Sequence, residues 1–128
     1  NMEIMRRIGF FDSKIFLFYE DDDICKKVKK NNHELVLIPT ARAFHAYGGS
    51  SGNSNAISLI KLYHMEWSRL FLYEKYIGKL SAKFKACWLV TVSIMRISKF
   101  FVSQNSIELR AAYARLCGRF DYLIGRRR

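Results

Sequence analysis

Apolar positions in the second half of the chain recur every three or four residues, the spacing of one helix face. The pattern predicts helices over residues 56–76 and 79–103 and a third from about residue 109. On this third helix the predicted inward stripe is Leu109, Ala112, Tyr113, Leu116, Cys117, Phe120, Leu123 and Ile124, with Arg110, Arg115 and Arg119 off it. No strand signal follows residue 56, so residues 56–128 are expected to form a helical region.

The first half alternates short apolar runs with polar turns, which predicts an α/β arrangement. Residues 2–7 are typical of a helix end stopped by Gly9, and residues 20–30 of a second helix. That second helix has its acidic residues first and its lysines last, the order that the helix dipole favours. Residues 34–39 and 41–47 are strand-like in length and composition. A glycine- and serine-rich loop follows at residues 48–55.

Charge separates the two halves further. The net charge is +11, and residues 65–128 hold thirteen basic and four acidic residues against nine and seven in residues 1–64. A basic helical surface can face nucleic acid or an anionic membrane. No recognised nucleic-acid-binding motif occurs, and an acidic cluster in the first half would repel phosphates. An anionic membrane surface is therefore the expected macromolecular partner, and nucleic acid is not.

The helix predicted at residues 79–103 leaves two interpretations open. Residues 86–95 carry no charge, whereas a membrane span needs about 20 apolar residues. Basic residues on both sides of this window, with aromatic residues nearby, are typical of a helix in a membrane interface. An amphipathic helix packed on its own domain has the same pattern.

Composition excludes several classes of protein. Half of the residues are hydrophobic and 15% are aromatic, which excludes a disordered tail. Three cysteines at no metal-ligand spacing indicate neither a zinc site nor disulfides, and they favour a reducing compartment. The chain opens on asparagine, so a piece of a longer protein is expected.

Glu20, Asp21, Asp22 and Asp23 form the densest polar feature of the chain. Adjacent carboxylates repel one another, and a carboxylate of raised pKa can act as a general base. An acidic helix N-terminus that complements the helix dipole would show the same residues. Similarly, His45 is either a metal ligand or a structural residue at a strand end. The loop at residues 48–52 can bring backbone N–H groups to a phosphate, although it lacks the P-loop lysine.

Five segments follow one another in unbroken order. They are Gly9-Phe10-Phe11-Asp12, Tyr19 to Cys25, Leu35 to Pro39, Ala41 to His45, and Gly48 to Ser51. Together they resemble the second half of the catalytic domain of family 2 glycosyltransferases, in the bacterial rhamnosyltransferase-like branch. The likeness covers about residues 2–52, and the helix after it is less specific.

This resemblance implies a fold and an activity. The fold would be the C-terminal part of a GT-A (nucleotide-diphospho-sugar transferase) domain, with residues 1–55 as its acceptor-side half and residues 56–128 as a helical extension. The activity would be inverting transfer of a sugar, rhamnose in this branch, from a nucleotide-diphosphate donor to a polysaccharide or lipid-linked glycan. The nucleotide-binding half, which would hold most of the Mg²⁺ or Mn²⁺ site, has no counterpart here. The 128 residues alone are therefore expected to be inactive, and the whole enzyme to lie on the cytoplasmic face of the cell membrane.

The resemblance also implies roles for individual residues. Asp21 would be the general base, with Glu20 and Asp23 orienting it, the acceptor or the local backbone. His45 falls where some relatives place a metal ligand. The loop residues Gly48, Gly49, Ser50 and Ser51 would lie beside the diphosphate. Lys75 or Arg69 would neutralise phosphate, a hypothesis that rests on charge alone. The alternative function is a basic, noncatalytic helical module that binds membrane or nucleic acid, in which the acidic cluster is purely structural.

Overall fold

A computed structural model of the chain describes residues 2–44 and 54–127. Within them lie five helices: α1 (Met2–Ile8), α2 (Glu20–Lys30), α3 (Asn55–Ile77), α4 (Lys79–Val102) and α5 (Ser106–Leu123). These residues contain no strand. The prediction of an α/β fold, and with it of a GT-A fragment, is therefore wrong, because the part of the chain that the structure describes is all-helical.

The segments predicted as strands do not form strands, because no neighbouring strand pairs with them among the described residues. The run Leu35 to Ile38 has no regular secondary structure, and its side chains are exposed. The backbone N–H of Ala41 donates to the Ile38 carbonyl at 3.1 Å, and this hydrogen bond closes a turn. A strand is stabilised only by hydrogen bonds to a neighbouring strand, and the described residues supply none. The end of the second run, residues 45–47, lies outside the described residues.

The helix predictions are confirmed, and their ends follow ordinary capping chemistry. The hydroxyl of Ser54 accepts a hydrogen bond from the backbone N–H of Ile57 at 3.3 Å at the start of α3. The side chain of Asn105 accepts one from Glu108 N–H at 3.1 Å at the start of α5. Gly78, at φ +126°, separates α3 from α4 in a conformation that favours glycine.

Helices α3, α4 and α5 pack on one another and share a small core. Its buried side chains are Trp67 and Leu70 from α3, Ala82 and Ala86 from α4, and Tyr122 from α5. Four partly buried residues surround them: Phe71, Tyr73, Leu89 and Leu123. The two alanines let α4 approach closely, because a small side chain brings its backbone near its neighbours.

The face that α5 turns inward differs from the predicted stripe. Tyr113, Phe120 and Ile124 are exposed, whereas Arg119 and Asp121 are buried. Apolar spacing alone therefore gave the wrong face for part of this helix. The reason is a set of polar partners on the other helices, which satisfies the buried charges.

A buried ion pair links the three helices. Arg119 Nε lies 2.8 Å from Glu66 Oε2, and both side chains are almost fully buried. The same guanidinium donates to the Leu89 carbonyl at 2.9 Å and to the Ser93 hydroxyl at 2.6 Å. Arg69 shares the Glu66 carboxylate. Such a pair is stable only when further hydrogen bonds satisfy its remaining groups, and here α4 supplies two, from the Leu89 carbonyl and the Ser93 hydroxyl.

Gly118 marks the closest approach of α5 to α3. A Cβ built on Gly118 would lie 2.4 Å from the carbonyl oxygen of Tyr63. In an unhindered helix, Gly→Ala stabilises by roughly 1 kcal/mol. Here we expect Gly118→Ala to destabilise by about 1–3 kcal/mol, because the backbones must separate. Urea denaturation of the two proteins measures the sign, and a more stable variant would contradict this packing.

The segment between α1 and α2 packs against α3 and the end of the chain. The Ser68 hydroxyl donates to the Leu17 carbonyl at 2.9 Å. Arg127 donates to the Lys14 carbonyl at 2.7 Å, and Trp67 Nε1 donates to the Arg126 carbonyl at 2.9 Å. These contacts join residues on the two sides of position 55 into one packed arrangement.

Candidate functional site

The first turn of α2 is held in place by a buried carboxylate. Asp23 is fully buried and meets three donors. Lys75 Nζ lies 2.8 Å from its Oδ1, Lys27 Nζ lies 3.2 Å from its Oδ2, and the Tyr76 hydroxyl donates to Oδ1 at 2.8 Å. With Asp12, these residues form what we call the Asp23 cluster.

The Asp23 cluster connects three parts of the chain. Lys75, near the end of α3, also lies 2.7 Å from Asp12 Oδ2 in the segment after α1. Lys27, on α2, donates to the carbonyls of Gly9 and Phe10 at 3.0 and 2.6 Å. The end of α1, the first turn of α2 and the last turns of α3 are thus fixed relative to one another.

Electrostatics in the Asp23 cluster favour the charged forms. Burial by itself raises the pKa of Asp23 and of Asp12, but hydrogen bonds from Lys75 and the other donors outweigh it and hold both pKa values below the ordinary range. Burial lowers the pKa of Lys75, and its two carboxylate partners reverse this and raise it. Burial and the hydrogen bond to Asp23 raise the pKa of Tyr76, so it stays a donor.

The other three carboxylates of α2 lie outside this cluster. Asp21 and Asp22 are exposed to solvent. Glu20 is half-buried, and its Oε2 atom is buried without a hydrogen-bond partner among the described residues. A buried oxygen of this kind costs free energy unless a ligand or water donates to it. One carboxylate oxygen of Glu20 is therefore enclosed by protein, whereas the neighbouring Asp21 is open to solvent.

The backbone that leads into α2 is strained. Phe18 and Tyr19 are consecutive non-glycine residues in the left-handed region, at φ +63° and +69°. Tyr19 is the N-cap of α2 and gives it no side-chain hydrogen bond. Each such residue costs of order 1–3 kcal/mol, and strain of this kind gathers at functional sites. The contacts of the Asp23 cluster hold the helical turn that follows these two residues.

The structure separates the roles proposed for the sequence-predicted residues. Glu20, Asp21 and Asp23 lie on one helical turn, but Asp23 is an anchor that no substrate can reach. Lys75 binds Asp12 and Asp23 rather than open solvent. Arg69 pairs with Glu66 on its own helix. The remaining candidates lie outside the described residues: His45, Gly48, Gly49, Ser50 and Ser51.

Sequence reasoning missed three members of the Asp23 cluster. Asp12 lies in the Gly9-Phe10-Phe11-Asp12 segment but has no predicted role, and neither Lys27 nor Tyr76 is among the predicted site residues. The spacing of Asp23 and Lys27, four apart on a helix, was the one local signal for a pair. Contacts to Lys75 and Tyr76 cross more than 50 positions of sequence, and no local pattern shows them.

Comparison with family models, with curated proteins and with solved structures gives no match for this chain. The described residues also contain no group of three or more histidine, cysteine, aspartate or glutamate side chains that could hold a metal ion.

His64 on α3 gives the fold a dependence on pH. It is buried between Phe16 and Tyr63, with ring centroids 4.8 and 5.0 Å away. Burial, and then the charge of Arg127, lower its pKa. The unfolded chain therefore binds this proton first as the pH falls, and stability is lost from about pH 6.5 downward.

We expect the melting temperature to fall between pH 7 and pH 5, and to fall less in His64→Gln, which cannot take up the proton. Thermal denaturation of both proteins at the two pH values measures the difference. If the melting temperature falls equally in the two proteins, His64 is not buried in its neutral form.

Proposed function

We propose that this chain carries the acceptor-side catalytic carboxylate of an inverting glycosyltransferase, with Asp21 as the general base. The reaction moves a sugar, with rhamnose the first to test, from a nucleotide-diphosphate donor to a polysaccharide or lipid-linked glycan. The observation that supports this is the pair Asp21 and Asp23: Asp21 is exposed, whereas Asp23 is buried and bound by three donors. The proposal rests on these carboxylates and not on an α/β domain, which the described residues do not form.

Helix geometry explains why Asp21 is presented outward. Successive residues of an α-helix are about 100° apart around its axis, so residues two apart point to nearly opposite sides. Because Asp23 is held inward by Lys75, Lys27 and Tyr76, Asp21 faces solvent. A base held on a fixed backbone loses little conformational entropy when an acceptor binds.

The proposed chemistry is a single displacement. Asp21 takes the proton of the acceptor hydroxyl while that oxygen bonds to the anomeric carbon of the sugar. The bond from this carbon to the diphosphate breaks, and the diphosphate leaves with the electron pair. Glu20, half-buried beside Asp21, would help to orient the acceptor. The described residues offer no ligand set for a divalent metal, so no step is assigned to one.

A transfer assay tests the proposal, with the protein expressed from its complete reading frame. Membranes and purified lipid-linked glycans serve as acceptors, and radiolabelled nucleotide-diphosphate rhamnose and glucose serve as donors. We expect label in the acceptor and an equal amount of released nucleotide diphosphate. The 128-residue chain alone is expected to transfer none, because no described residue is proposed to bind the donor. Absence of transfer by the complete protein, with any donor of the panel, would overturn the proposal.

A further inference from the structure

Helix α4 carries an apolar stripe on its outer side. Leu80, Phe84, Trp88, Met95 and Val102 recur at the spacing of one helix face, and all are more than half exposed. Ile94 and Phe101 extend the same face, and both are also more than half exposed. The stripe runs nearly the full length of the helix, about 33 Å at 1.5 Å per residue. We call these seven residues the α4 stripe.

The opposite side of α4 is the one that packs on the protein. Ala82, Ala86 and Ser93 are buried there, and Leu89 is partly buried against the core. The α4 stripe is thus not the inward face of an amphipathic helix. Large exposed side chains that group on one helix face mark an interaction surface, whereas scattered ones do not.

Charge around the α4 stripe has one sign. Helix α4 contains five basic residues and no acidic one. Lys83 and Lys99 are exposed and fall on the two edges of the stripe by helical spacing. None of the helices that the structure describes has the length and apolar content to cross a membrane.

We propose that the α4 stripe lies in the interface of an anionic membrane, with the helix axis parallel to the bilayer surface. Apolar and aromatic side chains would enter the acyl boundary while Lys83 and Lys99 contact anionic headgroups, the arrangement of interfacial amphipathic helices. Trp88, near the middle of the stripe, has the amphipathic ring that such interfaces favour. This inference does not depend on the proposed glycosyl transfer.

Charge complementarity selects a membrane over the other occupants. A second copy of the chain would bring two strongly basic faces together, which is unfavourable without counterions. Nucleic acid would satisfy the lysines but leave seven apolar side chains against phosphates or water. An anionic bilayer satisfies the charges and the apolar surface at once.

Tryptophan fluorescence tests this on the unmodified chain, since it has only two tryptophans and Trp67 is 9% exposed whereas Trp88 is 66% exposed. Vesicles of phosphatidylcholine with 30% phosphatidylserine should shift the emission to the blue, and brominated acyl chains should quench it. Vesicles of phosphatidylcholine alone should bind at least tenfold more weakly. An unchanged emission with the anionic vesicles would overturn the proposal.

Variants separate the apolar from the ionic contribution in vesicle sedimentation. We expect Phe84→Ser with Trp88→Ser to abolish binding. Phe11→Ser, at an exposed side chain in the segment before α2, should leave binding unchanged. Lys83→Gln with Lys99→Gln should weaken binding about 25-fold, since each basic residue near an anionic surface contributes about fivefold. Full binding by the Phe84 and Trp88 double variant would contradict the proposal. Two other results would also contradict the proposal, if the Phe84 and Trp88 double variant abolished them. One is dimerisation of the chain, and the other is a tighter affinity for duplex DNA than for anionic vesicles.

Discussion

Replacing Asp21 by asparagine is expected to lower the rate of sugar transfer by a factor of 10² to 10⁴, the usual contribution of a general base. Asparagine keeps the size of the side chain and loses its capacity to take a proton. Donor binding should stay unchanged, because Asp21 is proposed to act on the acceptor alone. Rates of transfer under saturating donor, beside a donor-binding titration, measure the two effects separately.

Asp22→Asn is the matched control for this substitution. Asp22 is the next residue on the same helical turn and is also exposed. Neither change should move the free energy of unfolding by more than about 0.5 kcal/mol, because both side chains are in solvent. Comparable loss of transfer in the two variants would show that the charge of the turn matters and not the position of one base.

Glu66→Gln is expected to destabilise the fold by about 3–5 kcal/mol, a large share of the 5–15 kcal/mol that holds a domain of this size together. The substitution leaves the buried guanidinium of Arg119 without its counter-charge. Hydrogen bonds from Arg119 to Leu89 and Ser93 remain, but they do not neutralise the charge. Chemical denaturation followed by circular dichroism measures the loss.

Two controls show whether burial causes the effect of Glu66→Gln. Glu3→Gln breaks an exposed pair with Arg7 on α1 and should cost less than about 0.5 kcal/mol. Glu66→Met combined with Arg119→Leu removes both charges and should recover most of the lost stability. If the double variant is as unstable as Glu66→Gln, the cost comes from packing and not from an unpaired charge.

The helices were predictable because their signals are local. Gly9, Ser54, Gly78 and Asn105 end or begin helices through chemistry that acts within four residues. The run at residues 35–38 was not predictable in this way. An apolar run of that length is consistent with a strand, but only a partner strand makes it one, and that partner is a property of the whole fold.

The prediction of the inward face of α5 was partly wrong for a related reason. Arg119 was placed off the buried stripe because charged residues are rarely buried without a partner. Its partner Glu66 lies 53 positions away on another helix, so the pairing has no trace in the local pattern. Gly118 is a second reason why the buried face of α5 differs from the predicted one. Because it has no side chain, its side of α5 packs closely against the backbone of Tyr63.

The candidate site was predictable in part. The four adjacent acidic residues drew attention from sequence alone, and the structure gives them different surroundings. Asp23 is the anchor, Asp21 and Asp22 face solvent, and Glu20 holds one unpartnered oxygen. The sequence could not separate them because the difference comes from Lys75 and Tyr76 on α3.

The anomeric configuration of the transferred sugar is the measurement that tests this account most directly. A single displacement assisted by one base inverts the configuration, so an α-linked donor gives a β-linked product. Nuclear magnetic resonance of the purified product of the complete protein determines the linkage. We expect inversion. A retained configuration would contradict the role of Asp21 as a base in a single displacement.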